Sequence, residues 1–130
     1  MAKVTVVWRE GMHFCTSTPS GELMCDESSE VGKAYPSAPE LLMASLGSCI
    51  ASVLVVFAER HGISLAGMSI ELDWKLAEKP YRIGAISIRV AVPRPLSDDQ
   101  KRTLARVAHG CLIHNTLSHP PEIGVELAAA

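Results

Sequence analysis

From Leu41 to Ala58 the chain reads LLMASLGSCIASVLVVFA, a run without a single charged residue. A helix apolar on every side has two homes: a bilayer, or the inside of a protein. Its boundaries are written locally. Ser37 and Glu40 fit the S-x-x-E capping box, with Pro39 in the first turn. Gly62 ends the pattern after Glu59-Arg60-His61. Ser45, Gly47, Ser48 and Ser52 dilute the hydropathy, and no second such segment exists, so the membrane reading is set aside. A chain of 130 residues is one domain's worth, residues 1–130, and is too small to surround this helix alone. The helix from about 39 to 61 is therefore expected to be covered by its own sheet and by a second copy of the chain.

The rest of the sequence alternates. Residues 3–8 (KVTVVW) read as a strand, Arg9-Glu10-Gly11 as a turn, 12–16 as a second strand and 22–25 as a short third after the TPSGE turn. A polar loop with Gly32 and Pro36 spans 26–39. Residues 68–77 place Ile70, Leu72, Trp74 and Leu76 on one face. Residues 82–92 place Ile86, Ile88, Val90 and Val92 in phase, giving an antiparallel hairpin closed by Pro93 and Pro95. Ser97 and Gln100 form a second capping box, and Leu104, Val107 and Ala108 form an inward stripe. After Gly110, CLIHNTLSH makes a short helix, and VEL at 125–127 a last strand. This order is α+β with antiparallel sheets, not alternating βαβ.

Composition excludes several functions. Apolar residues make up 48% of the chain and charged ones 20%, which is a folded domain. A net charge of -2 with no basic run disfavours nucleic acid and anionic membrane. Nucleotide-binding and hydrolase signatures of the GxGxxG, P-loop, GxSxG and HExxH kinds are missing, and no cofactor is implied. The start MAKVTVVWRE does not read as a secretory leader, so a cytoplasmic location is expected.

Chemistry is left to the cysteines at 15, 25, 49 and 111. On pattern alone Cys49 is a small core residue of its helix. Cys111 follows Gly110. It either continues the inward stripe or opens a new helix, where free N–H groups lower a thiol pKa. Cys15 and Cys25 read as strand thiols that are buried or at an edge; a facing pair across a hairpin is the other arrangement. His109, His114 and His119 lack the spacing of a zinc site, and no metal is expected.

Two stretches carry a resemblance. APELLMASLGSC resembles the P-E-x-L-L-x-x-L-x-x-C helix of the OsmC/Ohr family, and HGCLIHNTL resembles its second cysteine motif, C-P-[VI]-x-N-T-L. The likeness runs over roughly residues 3–127. It implies an OsmC-like fold built as an intertwined homodimer, with antiparallel sheets wrapped around a long central buried helix from each chain. It also implies a thiol peroxidase for organic hydroperoxides, serving oxidative-stress defence. Cys49 would attack the peroxide, Cys111 would close a disulfide, and a dithiol, in the family often a lipoyl protein, would reduce it. Leu46, Ile50 and Val53, with residues of the partner chain, would favour an alkyl tail.

The chain departs from that pattern at the activating group. Studied members use an Arg from the N-terminal sheet or the loop after it, held by a Glu. Here no Arg lies between Gly11 and Pro39. Arg82, Arg9 and His114 (or His109) are the candidates to activate the thiol. Glu40 is the candidate carboxylate, although nine residues of helix put it about 180° from Cys49. Leu112 stands where the motif has Pro. The second function consistent with these departures is a non-peroxidase of the same fold that binds an apolar or electrophilic small molecule at the dimer interface.

Overall fold

Gly11, held at a φ of 53°, lets the chain reverse where a side chain would be strained. The computed structural model describes residues 2–29 and 33–130, so the part of the 26–39 loop at 30–32 lies outside the described residues. Two compact units result, residues 1–44 and 45–130. In the first, β1 (Thr5–Glu10), β2 (His13–Thr18) and β3 (Gly21–Asp26) form an antiparallel sheet in the order β1-β2-β3. Arg9 belongs to β1, not to the turn, which sits at Gly11-Met12 instead. Cys15 pairs with Met24 and Cys25 with Phe14. That offset of one residue puts the two thiols on opposite faces of the sheet, so they do not face each other.

Asp26 at the end of β3 is buried and accepts from the Ser28 backbone N–H at 2.9 Å, with His13 Nε2 3.2 Å away. Ser28 holds the Asp26 carboxyl below its usual range, and His13 adds to this. A depressed folded pKa contributes stability that is present above the unfolded value of about 3.9 and is lost as pH falls through the folded one. The urea midpoint should therefore drop on acidification below about pH 4. Asp26→Asn should lower the midpoint at neutral pH and shrink that acid dependence.

α1 (Ala38–Arg60) starts as its sequence predicts. The Ser37 backbone N–H and hydroxyl both donate to Glu40 Oε1, at 3.0 and 2.8 Å. It stops at Gly62, whose φ of 65° lets the Ile63 N–H reach the Ala58 carbonyl at 2.9 Å. Within the second unit, Leu46, Ile50, Leu54 and Ala58 form the buried row of the helix, one residue in four. The opposite side is open: Ser48, Ser52, Val55 and Val56 are exposed and uncharged.

β4 (Ser69–Ala77) and β5 (Arg82–Ala91) form the expected antiparallel hairpin, with Leu72 opposite Ile88. Leu72 also lies against Gly47 of α1, where an added Cβ would stand 2.9 Å from its Cδ1. The alternation fails near the turn. A bulge between Lys75 and Leu76 shifts the register, so Leu76 is exposed and Ala77 turns inward. α2 (Asp98–Ala108) carries the complete Ser97/Gln100 capping box and buries Leu104. α3 (Leu112–Ser118) follows. Leu46, Ile50, Leu54, Leu104 and Cys111 form the core of this unit.

The expected last strand at 125–127 does not form. Residues 120–130 contain neither helix nor strand, and Val125 and Leu127 are over nine-tenths exposed. A strand needs a neighbour to bond to, and β-branched residues alone do not supply one.

Candidate active site

Cys49 stands beside Ile50, at the edge of the buried row of α1, and is partly buried. What faces it comes from the α2–α3 junction. α2 ends with the His109 and Gly110 N–H groups folded back on Val107 and its neighbour. Cys111 is then extended (φ -80°, ψ 151°), caps α3, and accepts from the His114 N–H at 3.2 Å. Its side chain is fully buried. The two cysteines come within 3.5 Å of each other, and both are free thiols.

The first amides of a helix have no acceptor of their own. In α3 they are divided between two sulfurs. The His114 N–H serves Cys111 in close hydrogen-bond geometry. The Ile113 and Leu112 N–H groups bear instead on Cys49. Ile113 is the largest influence lowering the Cys49 pKa; burial opposes it, and the Cys111 thiol and Leu112 add to the lowering. Cys111 moves the other way: burial raises its pKa first, and the neighbouring Cys49 adds to that. Cys49 therefore ionises ahead of Cys111, and the protonated Cys111 is left as a donor to the thiolate. Among the described residues no cationic side chain takes part in lowering Cys49.

The other singled-out residues have different surroundings. Glu40 is engaged by Ser37, whose backbone and hydroxyl hold its carboxyl below the usual range. Arg9 is an exposed residue of β1. Arg82 sits at the start of β5, where its Nη1 donates to the Glu78 and Pro80 carbonyls at 2.9 and 3.0 Å. The His114 ring lies edge-on to His109, centroids 5.0 Å apart, with Nδ1 buried and without a partner among the described residues. The sequence reading missed the amides of Leu112 and Ile113 as partners of Cys49. Their signal was the Gly110 break, which offers free N–H groups to any nearby thiol and not only to Cys111.

Residues 31–126 match the family described as OsmC-like protein. The chain belongs to the OsmC-like family. No curated protein matches it. Among solved structures, the OsmC-like protein of Mycoplasma pneumoniae superposes with a TM-score of 0.82 at 16% identity, over 92% of this chain and 89% of that one. The organic hydroperoxide resistance protein OhrB of Bacillus subtilis gives 0.70 at 21%, over 92% of each chain. An organic hydroperoxide resistance protein from Elizabethkingia anophelis gives 0.70 at 16%, over 92% and 89%. At these identities the likeness shows a shared fold.

In this OsmC-like chain, Leu112 at the first position of α3 retains an N–H that proline would lack. Leu112→Pro tests that amide cleanly. Proline suits a first helical position, Cys111 before it is already extended, and the Leu112 side chain is 73% exposed. The variant should keep its helix content and raise the Cys49 pKa, read as the pH dependence of iodoacetamide alkylation.

Proposed function

We propose that this chain is a thiol peroxidase that reduces organic hydroperoxides, with Cys49 as the attacking thiolate and Cys111 as the resolving thiol. The observation that carries the reading is the pair itself: two free thiols within 3.5 Å whose pKa values are driven apart, down at Cys49 and up at Cys111. The names of the Bacillus subtilis and Elizabethkingia anophelis structures support the substrate class. Cys49 sulfur attacks the distal peroxide oxygen, the O–O bond breaks, and the alkoxide leaves and takes a proton to become the alcohol. Cys111 sulfur then attacks the sulfur of the resulting Cys49 sulfenic acid, and the Cys49 S–O bond breaks. The thiol proton of Cys111 leaves with the hydroxyl as water, and a disulfide remains. An external dithiol, such as a lipoyl protein, is oxidised as it restores both thiols. Sulfur–sulfur contact and a disulfide-compatible backbone are what the second step needs.

Adding one equivalent of cumene hydroperoxide to the reduced protein should remove two titratable thiols per chain; loss of none overturns the reading. Arg82→Met and Arg9→Met are the companion measurement. A guanidinium acting on the thiolate would show as a raised Cys49 pKa, whereas activation by the α3 amides alone leaves both variants unchanged.

The working form in this reading is a cytoplasmic homodimer. Its support is the open, uncharged side of α1, where Val55 and Val56 are 40% and 47% exposed. Burying such a strip against a second copy removes apolar surface from water at about 25 cal/mol per Å². Sedimentation at micromolar concentration should show a dimer, and a stable monomer would count against it.

A further inference from the structure

Between α1, β5 and α2 of the second unit lies a cavity of about 530 Å³, within the size range of small-molecule sites. Its wall is aliphatic, formed by residues such as Leu54, Ile86, Val90 and Leu104, and it includes no cysteine and no carboxylate. Apart from the imidazoles of His109 and His114 it has no aromatic ring on which a planar ligand would stack. The one permanent charge in the lining is Lys101. Among the described residues its ammonium joins no ion pair, whereas Arg102 beside it on α2 is engaged with Asp99. An apolar cavity with a single free cation has the chemistry of a site for a singly charged amphiphile.

We infer that this cavity binds a medium-chain aliphatic carboxylate, its alkyl chain against the β5–α2 wall and its carboxylate on Lys101. One cation neutralises one carboxylate, and a dianionic phosphate would be left half paired. The lining holds neither cysteine, although Ile50 follows Cys49 and the His114 N–H meets Cys111 Sγ, so the site adjoins the thiol pair without needing its chemistry. It would let the protein sense or carry free fatty acid.

The probe is decanoate, titrated calorimetrically into the purified protein below its micelle concentration, with decanol and decyltrimethylammonium as companions. Saturable binding of one decanoate per chain is expected, with decyltrimethylammonium at least about tenfold weaker. Lys101→Gln should weaken decanoate by about tenfold, the size of one charge-assisted contact, and leave decanol unchanged. Ala105→Phe, which fills the cavity from an exposed position of α2, should abolish both. Cys49→Ser should bind decanoate normally. The inference is overturned if decanoate and decyltrimethylammonium bind alike, if Lys101→Gln changes nothing, or if no saturable binding occurs. It is equally overturned if decanoate splits a dimer, because the cavity is then covered by a second copy.

Discussion

Cys49→Ser brings turnover of cumene hydroperoxide down to the rate in buffer, a loss of at least about a thousandfold. The reason is ionisation. The Ile113 and Leu112 amides lower the pKa of a thiol that starts near 9, so a larger share of it is thiolate at any given pH. A serine hydroxyl starts so much higher that the same amides leave it protonated. The exchange is nearly isosteric at a partly buried position, so the fold is retained and the loss is chemical. A coupled assay with a dithiol reductant, alongside thermal unfolding, separates the two. Retention of a tenth of the activity would remove Cys49 from the nucleophile's role.

Cys111→Ser has an equally large effect on the steady state and a small one on the first turnover. The hydroxyl introduced by this substitution can still accept from the His114 N–H, and serine is a favoured residue at a helix start, so α3 keeps its place against Cys49. Cys49 then consumes about one equivalent of hydroperoxide and stops as a sulfenic acid. Dimedone traps it, and the mass increase falls on the peptide carrying Cys49. Multiple turnover with a dithiol reductant should collapse. If it continues at the normal rate, the reductant reaches the sulfenic acid directly and Cys111 is not the resolving residue.

Features enclosed within a few residues were legible in the sequence. The capping boxes at Ser37/Glu40 and Ser97/Gln100 and the stop at Gly62 depend on hydrogen bonds three to five residues long, so their spelling is their structure. The β4–β5 hairpin was legible for the same reason, up to the point where pairing between strands took over. The bulge at Lys75/Leu76 belongs to two strands at once, and it moved Leu76 outward against its own alternation. At residues 125–127 the residues of a strand are present, and among the described residues no strand pairs with them.

The site divides along the same line. Its two cysteines were visible as residues, and the resemblance to a family suggested that they act together. Their approach to 3.5 Å across about sixty residues of chain was settled by the packing of α1 against the α2–α3 junction. So was the placing of the amides that lower the Cys49 pKa. A sequence displays charged side chains as candidates, and it drew attention to Arg82, Arg9 and His114. Every residue here except proline carries the same backbone N–H, so nothing in the letters marks those of Ile113 and Leu112. They matter because the turn after Gly110 starts a new helix, and because tertiary packing sets the sulfur of Cys49 before its first amides.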